Sequence, residues 1–194
     1  MTNQNFTKRI MWLVISIILF TALNGQAQTF KLDPNKSIIA IAGTSNLHDW
    51  DSKASKISGS FVMNSSKQVA ALLIKIPVKS IKSGNGIMDD KTYDTFDADK
   101  NPTIIFKLTE TAKPDFTDAN NIPVALIGNL TMAGVTKKVS FKATGKSIGN
   151  GAYKFTANVP VKMSDYKMEA PTAMFGAMKV GDAVTLKLDI TITE

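Results

Sequence analysis

The stretch YKFTANVPVKMS, residues 153 to 164, alternates apolar and polar side chains with a period of two. One face is apolar throughout and consists of Tyr153, Phe155, Ala157, Val159, Val161 and Met163. The opposite face carries Lys154, Thr156, Asn158, Lys162 and Ser164. This alternation predicts a β-strand with one buried and one solvated face, as in an antiparallel sheet.

The same alternation recurs along most of the chain after residue 28. It is found in residues 103–109, 122–132, 137–143 and 184–193. Tight turns are indicated at Gly149-Asn150-Gly151 and Ala133-Gly134-Val135, and polar loops at 64–67 and 114–121. The pattern predicts an all-β domain of six to eight antiparallel strands. A closed barrel is favoured over an open sheet because closure removes exposed strand edges.

Two segments interrupt the strand pattern. The acidic segment GNGIMDDKTYDTFDA predicts one short helix over residues 85–97, with Asp89 and Asp90 favouring its first turn. Ile87, Met88, Tyr93 and Phe96 would form the apolar side of this helix. The second segment, residues 164–180, is an apolar loop rich in methionine. Because exposed apolar side chains are costly, we expect this loop to cover something.

The N-terminal residues have the features of a secretory signal peptide. Lys8 and Arg9 precede an apolar run from Ile10 to Leu23, and Gly25 and Ala27 suit cleavage after residue 27. The sequence therefore predicts a signal peptide over 1–27 and one barrel domain over 28–194. The chain has no cysteine, so no acyl-anchored cysteine, thiolate metal site or cysteine nucleophile is available.

Charge limits the classes of partner. Residues 28–194 keep 21 basic and 16 acidic residues, a net charge near +5, with the lysines spread along the chain. Nucleic-acid binding is not expected, because phosphate contacts need a concentrated basic patch. Transient contact with an anionic membrane surface is compatible with this charge. The sequence leaves the oligomeric state open, a homodimer included.

The stretch GTSNLHDWD, residues 43 to 51, holds His48, which is the only histidine in the chain. Catalysis would need a nucleophile and an orienting acid around it, but neighbours on a strand point to opposite faces. One histidine with scattered carboxylates is a poor zinc site. We expect His48, Asp49 and Trp50 to organise a strand end, and the helix aspartates to form a solvated face. Neither a catalytic nor a metal site is predicted.

Six segments in order carry a resemblance to a known family. They are FKLDPNKSIIAIAGTSNLHDWDSKA, KISGSFVMN, IPVKSIKSGN, DADKNPTIIFKL, GNLTMAGVTKKVSF and MSDYKMEAPTAMFGAMKVGDAVTLKLDITI. Together they make the chain resemble the YceI-like family of periplasmic polyisoprenoid-binding proteins over about residues 29–193. GNLTMAGVTKKVSF, residues 128–141, is the most specific of them.

The resemblance implies a lipocalin-like antiparallel β-barrel of about eight strands. It implies an apolar interior that holds an isoprenoid chain of the quinone or polyprenyl type, in the periplasm or outside the cell. It implies no catalytic machinery and no required cofactor. Many members carry an arginine in the last third, where this chain has Met163-Ser164-Asp165-Tyr166. Because the only arginine here is Arg9, no arginine contact to a ligand headgroup carries over.

Candidate lipid-contacting residues are apolar or aromatic and lie on the strands, the helix and the late loop. Methionine suits such a lining because its thioether adapts to a flexible ligand. The candidates are Trp50, Ile87, Met88, Tyr93, Phe96, Phe106, Phe141, Phe155, Met163, Tyr166, Met168, Met174, Phe175 and Met178. Each of them would equally suit plain core filling. Two alternatives therefore stay open: a packed structural or stress-related barrel without ligand, and an enzyme acting on a lipid-like substrate.

Overall fold

The computed structural model describes residues 27–194, except for the side chains of Ala173 and Met174. The predicted signal peptide, 1–27, lies outside the described residues but for its last one. One helix, α1 (Gly86–Phe96), and three 3₁₀ turns, η1 (Val78–Ser80), η2 (Ser164–Tyr166) and η3 (Met174–Gly176), lie in this part of the chain. Its β-segments are β1 (Gln28–Leu32), β2 (Ile38–Ser45), β3 (Asp49–Ala54), β4 (Ser58–Met63), β5 (Val69–Pro77), β6 (Ile81–Lys82), β7 (Thr103–Leu108), β8 (Ile122–Met132), β9 (Val135–Gly149), β10 (Ala152–Lys162), β11 (Thr172–Ala173) and β12 (Met178–Thr193).

The segments form one closed antiparallel barrel of eight strands, as the sequence predicts. The first strand is split into β1 and β2, which pair with opposite ends of the long β12. The second strand is split into β3 and β4, and the third into β5 and β6. From β7 onward each strand is continuous, apart from bulges, and pairs with its sequence neighbour. The pairing of β1 with β12 closes the ring.

The tight turns follow from local residue choice. Ala133 and Gly134 have φ of 47° and 75°, and Asn150 and Gly151 have φ of 49° and 69°. Two successive residues with positive φ make the turn whose twist matches a hairpin. The predicted strand over 122–132 coincides with β8. The strand predicted over 137–143 is the middle of the longer β9.

Helix α1 confirms the predicted short helix, one residue shorter at each end. Asn85 caps it by accepting hydrogen bonds from the backbone N–H of Ile87 (3.0 Å) and Met88 (3.4 Å). It ends at Asp97, whose φ of 47° is left-handed. The predicted solvated acidic face is wrong at Asp89, which is 7% exposed. This carboxylate turns inward because the segment before the helix offers it hydrogen-bond donors.

The late loop contains more regular secondary structure than the sequence predicts. Residues 172–173 pair with 178–179, so a short hairpin with η3 at its tip lies inside the predicted apolar loop. Tyr166 and Met168 are 2% and 6% exposed. The loop therefore folds back onto the barrel end, as expected of an apolar cover.

One end of the barrel is filled by aromatic side chains, which we call the aromatic plug: Phe30, Phe61, Phe116, Tyr153 and Phe155. Ring centroids within it lie 5.7 to 6.4 Å apart, mostly edge to face. The Phe155 ring lies on Gly145, where a Cβ would come within 2.3 Å of it. This end of the barrel is a packed core.

Candidate functional site

Two adjacent cavities lie towards the opposite end of the barrel. The mouth cavity, of about 730 Å³, lies between α1, the β2–β3 turn and the segment from Met163 to Val184. The inner cavity, of about 50 Å³, lies deeper between the strands. Ile41, Ile81 and Leu186 line both, so the two cavities adjoin at these three side chains, which we call the throat.

The inner cavity has a wholly apolar wall. Its lining includes Ile76, Ile104, Phe106, Val159 and Leu188, and the Phe106 and Phe141 rings meet there at 5.4 Å. Several inward side chains stay only half buried although they face the barrel interior: Ile41, Ile74, Val139, Phe141, Leu186 and Leu188. All six border the inner cavity. The barrel is therefore packed at the aromatic plug and hollow towards the mouth.

Methionine dominates the apolar part of the mouth cavity. Met88, Met132, Met163, Met168 and Met178 line it, which is five of the nine methionines in the sequence. They come from α1, two strands and the late loop. Flexible thioether side chains on separate elements can adjust to the shape of a bound molecule.

The β2–β3 turn forms one wall of the mouth. The Trp50 indole lies on Gly43, where a Cβ would come within 2.5 Å of the ring, and its Nε1–H donates to the Thr44 carbonyl at 3.1 Å. His48 Nδ1 lies 2.8 Å from the Asp49 carbonyl, which can only accept, so Nδ1 carries the proton. Ser45 Oγ donates to the His48 main-chain carbonyl at 2.8 Å. Ser45 thus stabilises the turn. His48 and Trp50 contact backbone carbonyls at the strand end as expected, whereas the Asp49 side chain makes no hydrogen bond to another described residue.

A polar cluster holds α1 over the mouth. Asp89 accepts from the backbone N–H and hydroxyl of Ser83, both at 2.7 Å, and its carboxylate lies 3.3 Å from Lys82 Nζ. These interactions, with the Ser83 N–H largest, lower the pKa of Asp89. Lys82 also donates to the Tyr93 hydroxyl at 2.6 Å, which raises the pKa of the lysine. Tyr93 in turn contacts the carbonyls of Lys79 and Ile81.

The structure brings nine of the predicted site residues to the cavities. Those on the mouth cavity are Trp50, Ile87, Met88, Phe96, Met163, Met168 and Met178. Those on the inner cavity are Phe106 and Phe141. The structure places Tyr93 at the base of α1, Phe155 in the aromatic plug, Tyr166 in the core beneath the late loop and Phe175 fully exposed at the hairpin tip. The Met174 side chain lies outside the described residues.

Sequence reasoning missed the residues that join the two cavities. Ile41, Ile81 and Leu186 were not among the candidates, nor were Ser52 and Met132. Strand alternation places Ile41, Ser52, Met132 and Leu186 on an inward face. It does not distinguish a side chain at a void from one in a packed core. Ile81 follows the η1 turn, where the alternation of the third strand is broken.

Within residues 27–194, no three His, Asp or Glu side chains come together in an arrangement that could hold a metal ion. In the same part of the chain, no helix has the length and apolar character needed to cross a membrane.

The chain is similar in sequence to one curated protein and in structure to several solved proteins. A UPF0312 protein of Pseudomonas paraeruginosa is 28% identical over 171 residues, which cover 82% of this chain and 86% of the relative. The crystal structure of Burkholderia cenocepacia BcnA superposes with a TM-score of 0.68 at 21% identity, over 82% of this chain and 98% of BcnA. A polyisoprenoid binding domain from Saccharophagus degradans gives 0.67 at 12% identity, over 84% and 97%.

The family comparison matches nearly the whole barrel. The model of the YceI-like domain covers residues 30–192, from β1 to the end of β12. The chain belongs to the YceI-like domain family.

Proposed function

We propose that the protein binds one isoprenoid lipid, of the quinone or polyprenyl type, in the mouth cavity, with its chain pointing through the throat. The observation that carries the proposal is an apolar inner cavity that adjoins the large mouth cavity at Ile41, Ile81 and Leu186. The structural neighbour from Saccharophagus degradans, described as a polyisoprenoid binding domain, supports the same ligand class. Each CH2 removed from water would contribute about 0.8 kcal/mol.

The two volumes favour a compact ligand. The mouth cavity, at about 730 Å³, is in the range of sites that enclose a drug-sized molecule. The inner cavity, at about 50 Å³, offers room for only a few atoms. Most of the ligand therefore lies in the mouth, and only the end of its chain passes Leu186. A ring with a short prenyl chain fits this division better than a long extended chain.

The rival functions fit the site less well. A packed barrel without ligand would fill its interior, whereas Phe141, Leu186 and Leu188 line an apolar cavity. For an enzyme, a nucleophile and a base should meet at the cavity. At the mouth, Ser45 donates to a main-chain carbonyl, and His48 Nδ1 contacts the backbone.

The export proposal rests on the sequence of residues 1–27. The mature protein would begin at Gln28 and act in the periplasm or outside the cell. The intact mass of protein purified from an exporting host tests this. A mass that still includes residues 1–27 would contradict cleavage.

The test of the ligand proposal is native mass spectrometry of protein from the exporting host, followed by organic extraction. We expect a bound species of several hundred daltons whose fragments show an isoprenoid series. Leu186→Trp should abolish it, because the larger ring fills the throat. Lys187→Trp, which adds the same ring on the outer face of the same strand, should retain it.

The melting temperatures of both variants show whether a variant without ligand is still folded. Ala54→Leu is a milder second variant, since it narrows only the inner cavity. A wild-type protein that carries no lipid, and takes up neither added quinone nor polyprenyl lipid, would contradict the proposal.

Membrane contact belongs to the same proposal. Three large apolar residues around the mouth are exposed: Leu47 (59%), Ile87 (70%) and Phe175 (113%). Asn46 ties the turn of Leu47 to the hairpin of Phe175 through hydrogen bonds to Ala177 and Lys179. These side chains would enter the surface of a bilayer when the mouth faces it.

Flotation with phospholipid vesicles tests this contact. Phe175→Ser should lower the bound fraction. Ile148→Ser removes an exposed apolar residue near the aromatic plug and should leave the bound fraction unchanged. Equal effects of the two substitutions would contradict a contact made by the mouth.

A further inference from the structure

Ser52 is a buried polar residue in the wall of the mouth cavity. It is 5% exposed and pairs across the sheet with Ile41, one of the three throat residues. Directly paired residues of neighbouring strands share a face, so Ser52 faces the barrel interior at the level of the throat. Its hydroxyl makes no hydrogen bond to another described residue, and the hydroxyl oxygen keeps some accessible surface at the cavity.

Every second residue from His48 to Ala54 lines a cavity, and these residues lie progressively deeper in the barrel. His48 and Trp50 line the mouth cavity, Ser52 lines its deep end, and Ala54 lines the inner cavity. Every second residue of a strand is about 6.6 Å further along it. Ser52 therefore lies about 6.6 Å deeper along the strand than Trp50, and its hydroxyl is next to the aliphatic side chains of the throat.

Other buried serines of the barrel are hydrogen-bonded to backbone. Ser37 Oγ donates to the Thr191 carbonyl at 3.3 Å and accepts from the Thr191 N–H at 3.0 Å. Ser80 Oγ donates to the Pro77 carbonyl at 2.7 Å. Buried hydroxyls are normally satisfied in this way. Ser52 differs from these two because it borders the cavity.

We propose that the Ser52 hydroxyl hydrogen-bonds an oxygen of the ligand at the throat. The ligand class is then an isoprenoid that carries a carbonyl or hydroxyl oxygen, and a pure hydrocarbon chain binds less well. This inference rests on the proposed function and narrows its substrate class. It also sets the depth of the ligand: the oxygen lies beside Ile41 and Ile81, and the ring lies among the methionines.

The test compares two ligands with the same carbon skeleton, farnesyl-1,4-benzoquinone and farnesylbenzene, of which only the first carries oxygens. Affinities are measured by titration in native mass spectrometry. Wild-type protein should bind the quinone about 2- to 13-fold more tightly, the range that one hydrogen bond supplies. Ser52→Ala should remove most of this preference by weakening quinone binding alone. Ser52→Thr keeps the hydroxyl and should retain the preference.

Ser80→Ala is the matched control, because its hydroxyl is equally buried but bonds to backbone. It should lower the melting temperature and leave the quinone preference unchanged. Ser52→Ala should leave the melting temperature of the ligand-free protein unchanged, because its hydroxyl bonds to no described protein group. A marked fall would assign Ser52 a structural role and overturn the inference.

The outcomes separate the two proposals. If wild-type protein binds both ligands and Ser52→Ala keeps the wild-type ratio of affinities, the inference on Ser52 is wrong and the lipid-binding function stands. If wild-type protein binds neither ligand, the proposed function fails and the inference fails with it.

Discussion

At one end of the barrel five aromatic rings fill the space between the strands, whereas at the other end five methionines surround a cavity of about 730 Å³. Strands contribute to both ends, and α1 and the late loop are added at the mouth. Aromatic rings are stiff and lock each other edge to face. Methionine side chains have three rotatable bonds and leave space that can change shape. The difference shows how stiff rings fill one end of a barrel as a core, whereas flexible side chains from a helix, strands and a loop leave the other end as a container.

The largest effect should come from the aromatic plug. Phe61 is 6% exposed and contacts the rings of Phe30 and Phe155. Phe61→Ala should lower the free energy of unfolding by about 3–5 kcal/mol, because it leaves a cavity inside a packed cluster. Urea unfolding measures the loss. Lipid binding per folded molecule should persist, and its loss would show that the two ends are coupled.

A matched pair of methionines compares the ends directly. Met63, on the strand next to the aromatic plug, and Met163, at the mouth cavity, are both 6% exposed. Met63→Ala should cost about 2–5 kcal/mol, the usual range for a buried methionine. Met163→Ala should cost about 1–2 kcal/mol, since a side chain beside a void has fewer contacts to lose.

Urea unfolding of both methionine variants provides the comparison. Equal losses would mean that the mouth is as tightly packed in solution as the other end. Only Met163→Ala should change the affinity for added lipid.

A smaller effect should depend on pH and be confined to the mouth. The folded state lowers the pKa of Asp89, mainly through the Ser83 N–H. The stabilisation is therefore fully present above the unfolded value of about 3.9, and it is lost as the pH falls through the folded pKa. Below about pH 3.9, hydrogen exchange should rise in residues 86–96 before it rises in β10.

Asp89→Asn should weaken the same anchor at neutral pH, by about 1–3 kcal/mol. Asp90→Asn is the control, since Asp90 is the exposed neighbour on the same helix. If hydrogen exchange in α1 and β10 of the wild type rises at the same pH, the Asp89 contacts do not stabilise the helix separately from the barrel.

Much of the fold follows from alternation and turn chemistry. Ala133-Gly134 and Asn150-Gly151 indicate their hairpins, and β8 coincides with its predicted span. The splitting of the first three strands is not visible in this way, because Asp33–Ser37, Ser55–Ile57 and the η1 turn read as ordinary polar or apolar stretches. Their bends are set by tertiary pairing.

The site is less accessible to sequence reasoning than the fold. Met163 and Met168 were identified as candidates by residue type, and residue type equally suggested Phe155, which lies in the aromatic plug. Ser52 carries no signal of its own, since a serine on a strand is usually a surface residue. Its position becomes informative only when Ile41 is seen opposite it and a cavity beyond.

The position of Trp50 gives the barrel an intrinsic optical reporter. The sequence has two tryptophans, Trp12 and Trp50, and only Trp50 lies in residues 28–194. Its indole lines the mouth cavity one strand position above Ser52. A molecule entering the mouth therefore changes the surroundings of the single indole of the domain, and a quinone there would quench its emission by close contact. Occupancy of the barrel can thus be followed by fluorescence, in real time and without a label.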